Sequence, residues 1–290
     1  MSTRTVDLAL PPGYRMADVL AFHARDAEGV AEQVSAAGFC KGVLVDGVAL
    51  RFDIAFAADV AHCTLAADGV VPDGAAAALP GMLALRIDPA PFAASVQDDP
   101  WFGPLVARTP GLRIVQSASV FEALTWAIIG QQINVAFAIA LRRTLILQAG
   151  RRHSSGIWCY PEAVDVAALA PDALTSRKFS RAKAETILRL ARLVADGTLS
   201  LAQDAPVADI AARLLAVKGI GPWTVNYALL RGYGDPDCSL HGDVAVRSAL
   251  QRLLGDAVKP DMARTEALLT RYAPYRTMAA AYLWRSLSPD

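Results

Sequence analysis

The sequence Val217-Lys218-Gly219-Ile220-Gly221-Pro222-Trp223-Thr224 decides how the C-terminal half of this chain folds. Apolar residues recur at helical spacing on both sides of it, and Pro222 suits the first turn of the second helix. The stretch therefore predicts two helices joined by a tight hairpin. Gly219 and Gly221 let the backbone approach a ligand, and the free N–H groups at a helix N-terminus can bind a phosphate. An ordinary turn is the alternative, and the hairpin alone does not decide between the two.

A carboxylate follows this hairpin at the start of the next predicted helix. Residues 234–242 are rich in turn-forming types, and Asp243 precedes an apolar run at helical spacing, so Asp243 is predicted as an N-cap. It can be a cap and nothing more, or an acid held beside whatever the hairpin binds. Asp235 and Asp237 are the alternative acids, and they rank lower because they come early in the loop.

Three blocks of the chain together resemble one protein family. The first is the hairpin with Asp243, the second is FEALTWAIIGQQINVA at residues 121–136, and the third is YAPYRT with YLW within residues 272–284. They resemble the helix–hairpin–helix/Gly-Pro-Asp superfamily of DNA glycosylases, and within it the 3-methyladenine DNA glycosylase II (AlkA) family. The resemblance covers roughly residues 110–287 well and the N-terminal part weakly.

The resemblance implies an α+β fold with two parts. A small N-terminal antiparallel-sheet α/β domain over residues 1–110 precedes a two-lobed all-helical helix-hairpin-helix glycosylase body over residues 111–290, in which the helix-hairpin-helix spans 206–231. The residue pattern agrees, because strand-like alternation ends near residue 110 and helical spacing dominates from residue 117 onward. In the first part, a helix is predicted over 17–37, a hairpin turn at Asp46-Gly47, and further strands at 54–56, 63–65 and 82–87.

The resemblance also implies roles for particular side chains. Asp243 is the catalytic carboxylate, placed where positive charge grows on the sugar as the base leaves, and it could also orient the attacking water. Three aromatic residues match positions that line the base pocket in the family: Trp223, Tyr227 and Trp284. Further candidates for the pocket are Trp126, Phe22 and Tyr282. Packing in the core is the alternative for these rings. An electron-rich cleft of this kind would favour cationic alkylated purines.

The hairpin supplies the DNA contacts in this family. The predicted DNA-binding residues are Gly219, Gly221, Thr224, Lys218 and, as the wedge that fills the gap in the duplex, Gln132. Lys218 could equally be a solvated lysine, and Gln132 could be half of a polar pair beside a helix. The resemblance further implies a possible Na⁺ or K⁺ ion on the backbone carbonyls of Leu215, Val217 and Ile220. No cofactor is required, and no iron–sulfur cluster is expected because no four-cysteine loop follows Asp243.

The implied activity is that of a monofunctional glycosylase. Bifunctional relatives carry a lysine immediately after the Gly-x-Gly-x run, where this chain has Trp223, so no Schiff base with the sugar is expected. The enzyme would flip alkylated purines such as 3-methyladenine out of double-stranded DNA and hydrolyse the N-glycosidic bond, leaving an abasic site. The alternatives are a glycosylase for deaminated or oxidised bases and a non-catalytic helix-hairpin-helix DNA-binding module.

Composition limits the class of protein. The 290 residues carry 28 basic and 28 acidic side chains, and this neutrality argues against holding DNA by bulk electrostatics, so a local basic face must serve. No apolar run is long enough to span a bilayer, and no secretory signal is visible. The four cysteines, which predict neither a zinc site nor a disulfide framework, are Cys40, Cys63, Cys159 and Cys238. We expect a monomeric cytoplasmic protein that does not contact membranes.

Overall fold

A seven-stranded sheet is formed by the residues that this computed structural model describes, 2–203 and 205–288. Its strands are β1 (Ser2–Ala9), β2 (Glu32–Ser35), β3 (Gly38–Val45), β4 (Val48–Phe56), β5 (Val60–Ala67), β6 (Arg151–Arg152) and β7 (Trp158–Tyr160). The strand order is β1-β5-β4-β3-β7-β6, and β2 also pairs with β3. Every pairing is antiparallel except that between β3 and β7.

The predicted hairpin between β3 and β4 is confirmed. Asp46 and Gly47 both have positive φ, at 49° and 74°, as a two-residue turn with the right twist for a hairpin requires. Val45 and Val48 face each other across this turn. The strand segments predicted at 54–56 and 63–65 lie inside β4 and β5, so those assignments are also confirmed.

Helices form the larger part of the molecule, the first of them between β1 and β2, and β6 and β7 follow the sixth α-helix. The first group is α1 (Met16–His23), α2 (Leu79–Met82), α3 (Ala90–Ser95), α4 (Phe102–Arg108), α5 (Val120–Gly130), α6 (Val135–Ala149) and α7 (Ala163–Ala167). The second group is α8 (Asp172–Thr175), α9 (Arg181–Ala195), α10 (Val207–Leu215), α11 (Pro222–Ala228), α12 (Val244–Leu254), α13 (Met262–Thr270) and α14 (Arg276–Arg285). A 3₁₀ turn covers Asp73–Ala78, and a π-helical turn, Leu229–Tyr233, continues α11. The α+β fold class is therefore confirmed.

Two predictions for the N-terminal part are wrong. The helix predicted over 17–37 ends at His23, and β2 occupies its second half because Glu32 lies opposite Lys41 in the sheet. The strand predicted over 82–87 is instead the end of α2 and a turn in which Ala84 has φ +54°. The side chains of Met82, Leu83 and Ala84 are all fully buried, so this apolar run reflects burial on every side rather than strand alternation.

The chain after residue 111 was predicted to be all-helical, but it also contains the short strands β6 and β7. They contain only two and three residues, which is too short for a period of two to show in the sequence. Through β7, Cys159 and Tyr160 pair with Gly42 and Val43 of β3. The chain after residue 110 thus contributes to the N-terminal sheet, and the division at residue 110 stays a prediction.

Helix α5 positions the glycine hairpin predicted from the sequence, and its side chains from Val120 to Ile129 are all buried. Ser119 caps its N-terminus by accepting a hydrogen bond from the backbone N–H of Glu122 at 3.0 Å. Helices α6, α9 and α11 pack around it. The end of α5 therefore meets the start of α11, where the glycine hairpin lies.

Candidate active site

The glycine hairpin joins α10 to α11 as the sequence predicts. Gly219 has φ +99°, and a Cβ added there would lie 2.1 Å from Oγ1 of Thr186, so only glycine fits. Gly221 is the N-cap of α11, and a Cβ added there would meet nothing within 4 Å. Val217 and Ile220 turn their side chains into the core. The hairpin is thus held from inside and is open to solvent at Gly221.

Two polar side chains brace the hairpin from neighbouring helices. The Gln131 amide donates to the carbonyl oxygen of Gly219 at 3.1 Å and to Oγ1 of Thr224 at 3.0 Å. Arg189 on α9 donates to the carbonyl oxygen of Lys218 at 2.9 Å. The Thr224 side chain, which the sequence assigned to DNA contact, is buried and occupied by this bond, so the structure places it in the hairpin's support.

Gln131 is a site residue that the sequence reasoning passed over. Its only signal was a polar residue directly after a helix whose side chains are otherwise buried. The neighbouring Gln132 is exposed and has φ +56°, an uncommon conformation for a residue other than glycine. It lies at the surface between α5 and α6, beside the hairpin that Gln131 holds. Its role as a wedge stays a prediction.

The carbonyls predicted to hold a monovalent cation lie on the same hairpin. The side chains of Gln131 and Arg189 donate to the carbonyl oxygens of Gly219 and Lys218, which are not among the predicted ion ligands. The Val217 carbonyl accepts the backbone N–H of Ile220 at 3.0 Å. The side chain of Leu215 is exposed. Hard oxygen donors of this type suit Na⁺ or K⁺, and the ion stays a prediction.

Asp243 is held by four N–H donors at the start of α12. Its Oδ1 accepts from the backbone N–H groups of Ala245 at 2.9 Å and Val246 at 3.0 Å, which confirms the predicted N-cap. Oδ1 also accepts from the Trp284 indole at 3.2 Å, and Oδ2 accepts from the Trp223 indole at 2.9 Å. The residue is only 9% exposed, so its carboxylate has one fixed orientation.

The alternative acids have other partners. Asp237 forms a bidentate ion pair with Arg276, at 2.8 and 2.7 Å. Asp235 accepts the backbone N–H of Asp237 at 2.8 Å and belongs to the same loop structure. Both shape the loop that leads to Asp243, and neither bonds to an indole.

The predicted pocket aromatics come together next to Asp243. The rings of Trp223 and Tyr227 lie 5.3 Å apart, and those of Tyr227 and Trp284 lie 6.3 Å apart. The Trp126 indole donates to the Tyr227 hydroxyl at 2.9 Å. Trp223, Tyr227 and Trp284 remain partly exposed, so these rings wall a cleft rather than fill a closed core.

Two arginines that the sequence reasoning missed join Phe22 to this cluster. The guanidinium carbon of Arg231 lies 4.9 Å from the Phe22 ring centre, 5.9 Å from that of Tyr227 and 5.7 Å from that of Trp284. The Arg25 guanidinium carbon lies 3.9 Å from the centre of Phe22 and 4.6 Å from that of Trp126. We call Trp223, Tyr227, Trp284, Trp126 and Phe22 with these two arginines the aromatic cluster.

A cavity of about 610 Å³ lies near Val43, Arg86 and Glu162, and none of the predicted site residues lines it. The four cysteines are free and buried. Within the described residues, no group of three or more His, Cys, Asp or Glu side chains is placed to hold a metal ion. No helix in that part of the chain is long and apolar enough to cross a membrane.

Comparison with known proteins agrees with this geometry. Residues 125–274 match the model of the HhH-GPD superfamily of base excision DNA repair proteins. The DNA-3-methyladenine glycosylase of Bacillus subtilis is 31% identical over 205 residues, which cover 69% of this chain and 68% of that protein. DNA-3-methyladenine glycosylase 2 of Escherichia coli is 32% identical over 188 residues, 63% of each chain. The chain thus aligns with roughly two thirds of the length of these relatives.

A solved structure matches the whole fold. The 3-methyladenine DNA-glycosylase of Archaeoglobus fulgidus superposes with a TM-score of 0.82, covering 98% of this chain and 100% of that one at 20% identity. At this identity the match establishes the shared fold, including the N-terminal sheet.

Proposed function

This chain belongs to the HhH-GPD superfamily of base excision DNA repair proteins, and from that premise we propose that it is a DNA glycosylase for alkylated purines such as 3-methyladenine. The observation that carries the proposal is Asp243. Its carboxylate is fixed by two indoles and a helix N-terminus at the edge of a partly exposed aromatic cluster. A cap with no other role would not need both tryptophans.

The arrangement supports base release by hydrolysis. A flipped purine would stack among Trp223, Tyr227 and Trp284, with its sugar beside Asp243. The glycosidic bond breaks with its electron pair leaving on the base, and the positive charge that develops on the sugar is stabilised by the carboxylate. A water oxygen then bonds to the anomeric carbon and gives up a proton, which Asp243 is placed to accept. Alkylation already makes the base a good leaving group, so no second acid is needed.

The hairpin would grip the DNA backbone. Lys218 and Gly219 are exposed, and Gly221 offers an open N-cap to a phosphate oxygen. The zero net charge of the chain means that such local contacts must supply the attraction for the duplex. We therefore propose that the protein binds double-stranded DNA that contains a damaged base.

We further propose that the enzyme has no lyase activity. Trp223 stands where a Schiff-base lysine would follow the hairpin, and its indole is bonded to Asp243. Lys183, on α9, donates to the Ile129 carbonyl at 2.6 Å. Neither arrangement offers a free amine to the anomeric carbon.

Asp243→Asn tests the assignment, because asparagine is as good an N-cap as aspartate and preserves the fold. We expect release of bases from methylated DNA, measured by chromatography, to fall at least about a hundredfold while DNA affinity is retained. Asp261→Asn is the matched control, since Asp261 caps α13 by accepting the N–H of Arg264 at 2.8 Å outside the aromatic cluster. Persistent activity of Asp243→Asn contradicts the catalytic role.

The same preparation separates the other functions. Wild-type protein that binds DNA and releases no base would support the DNA-binding module. Borohydride added during the reaction should trap no covalent protein–DNA complex, and a trapped band would show a lyase.

A further inference from the structure

Gln131 joins the end of α5 to both sides of the glycine hairpin. Its side-chain amide nitrogen donates to the carbonyl oxygen of Gly219 at 3.1 Å and to Oγ1 of Thr224 at 3.0 Å. A primary amide has two N–H donors, so both are committed to these contacts. One side chain therefore fixes the loop before α11 and the first turn of α11 relative to α5.

Trp223 lies between the two contacts of Gln131. It is the second residue of α11 and directly precedes Thr224. Gly130, the last residue of α5, lies against the Trp223 ring, because a Cβ built on Gly130 would be 3.9 Å from Cη2 of the indole. The position of this ring thus depends on how the end of α5 meets α11, and Gln131 makes two hydrogen bonds at that junction.

The two oxygens of Asp243 depend on Trp223 to different extents. Oδ1 accepts two backbone N–H groups of α12 and the Trp284 indole. Within the described residues, the Trp223 indole is the one hydrogen-bond donor to Oδ2, at 2.9 Å. A shift of the first turn of α11 would therefore release Oδ2 and leave the N-cap of α12 intact.

Two other polar side chains lie at the same junction, and neither bonds to α11. Arg189 donates to the carbonyl oxygen of Lys218, before the glycines of the hairpin, at 2.9 Å. Lys183 donates to the carbonyl oxygen of Ile129, which belongs to α5 itself, at 2.6 Å. Of these three side chains, Gln131 is the one that can set the position of Trp223.

We propose that Gln131 is a positioning residue for base release, which holds the first turn of α11 so that the Trp223 indole meets Oδ2 of Asp243. Gln131 acts through Trp223 and does not touch the reacting atoms. An acid that stabilises developing charge must be held in place, because a small displacement of a catalytic group lowers the rate considerably. The inference rests on the proposed glycosylase function.

Gln131→Met tests this role, because methionine keeps the length of the side chain and removes both donors. We expect single-turnover release of bases from methylated duplex DNA, at saturating enzyme, to fall about tenfold, since the bond from an indole to a charged oxygen is weakened. The melting temperature should change little, because Gln131 is only half-buried. Gln131→Glu keeps the shape but offers oxygen acceptors where donors are needed, so it should not restore the rate.

A double-mutant cycle separates positioning of Asp243 from general support of the hairpin. Trp223→Phe removes the indole N–H that bonds to Oδ2, so adding Gln131→Met to it should lower the rate no further. Trp284→Phe leaves the Oδ2 contact in place, so Gln131→Met should keep its full effect in that background.

Gln251→Met is the matched control. The Gln251 amide also donates to two backbone carbonyls, those of Asp256 at 3.4 Å and Ala257 at 3.2 Å, but at the C-terminal end of α12. This variant should release bases at the wild-type rate.

Three results would overturn the positioning role. They are a wild-type rate in Gln131→Met, equal further losses in the Trp223→Phe and Trp284→Phe backgrounds, and failure of both Gln131 variants to fold. Each of them leaves base release by the wild-type protein untouched. Wild-type protein that releases no base would overturn the glycosylase function itself.

Discussion

At the scale of single residues, the carboxylate of Asp243 is defined by the groups that hold it. Both indole N–H groups and two backbone N–H groups converge on its two oxygens, so neither oxygen is free to rotate away from the cleft. Aspartate at an N-cap is common in proteins, and the tryptophans distinguish this one.

Trp284→Phe should separate orientation of Asp243 from packing. Phenylalanine keeps an aromatic wall but removes the N–H that lies 3.2 Å from Oδ1. A hydrogen bond to a charged group contributes roughly 1.5–3 kcal/mol, so we expect base release to fall by about tenfold or more. Rates are measured under single-turnover conditions, with thermal unfolding as the check on stability.

Trp158→Phe on β7 is the control for this change, because Trp158 lies outside the aromatic cluster. An unchanged rate in Trp284→Phe would mean that the indole bond does not orient the acid. A large fall in melting temperature would assign the ring to the core instead.

At the scale of elements, the hairpin between α10 and α11 contains two glycines in different environments. Gly219 fits against Thr186 with a positive φ, and Gly221 faces open space. The first is required by packing inside the molecule, while the second leaves room for a ligand outside it. Sequence alone treats the two glycines alike.

Gly219→Ala and Gly221→Ala should therefore behave differently. Alanine at 219 would meet the Thr186 hydroxyl at 2.1 Å and would need an unfavourable φ, so we expect a loss of more than about 1 kcal/mol in unfolding free energy. Alanine at 221 should leave stability unchanged and weaken binding to duplex DNA, as seen in urea melts and fluorescence anisotropy. Equal effects of the two changes on both measurements would contradict this division.

At the scale of the whole molecule, a buried charge cluster joins the sheet to the helices. Glu32 and Lys41 come from β2 and β3, Glu122 and Arg142 come from α5 and α6, and His23 bonds to Glu32 at 3.1 Å. Burial opposes the charge on Glu32, but Arg142 and Lys41 outweigh it and hold its pKa well below the usual range. Burial likewise opposes the charge on Glu122, and Lys41 and Arg142 hold its pKa below normal. Burial lowers the pKa of His23.

The signs of these shifts predict how stability depends on pH. A carboxyl group whose pKa is lowered by folding stabilises the protein at pH values above its pKa in the unfolded chain, about 4.3. This stabilisation is lost as the pH falls through the pKa of the folded protein. A lowered histidine pKa makes the unfolded chain bind the proton first, so stability also falls as pH drops below about 6.5. We expect the urea midpoint to be level near pH 7.5, to decline below about pH 6.5 as His23 contributes, and to decline further below about pH 4.3 as Glu32 and Glu122 contribute. Lys41→Met should cost about 3–5 kcal/mol of unfolding free energy at neutral pH.

Arg264→Met is the control for the charge cluster, because Arg264 pairs with Asp256 at the surface with 54% of its side chain exposed. It should change stability by less than about 1 kcal/mol. A Lys41→Met protein as stable as this control would show that the buried ions do not hold the sheet to the helices.

The parts of the structure that the sequence predicted are those that depend on near neighbours. The glycine hairpin, the Asp46-Gly47 turn and the Asp243 cap are each encoded within a few residues. The errors arose where a local pattern is misleading or missing. Around residue 82 a fully buried apolar run looked like a strand, and β6 and β7 are too short to show a strand period.

By itself the sequence determined the family, the α+β class and the acid beside the hairpin, because these follow from local spacing and from motif blocks. Only the tertiary structure decided that Arg25 packs against Phe22 and Trp126, that Gln131 braces the hairpin, and that Phe22 joins the aromatic cluster. The Trp126–Tyr227 bond joins residues 101 positions apart, and such a contact depends on how helices pack. No local pattern in the chain records which side chains that packing brings together.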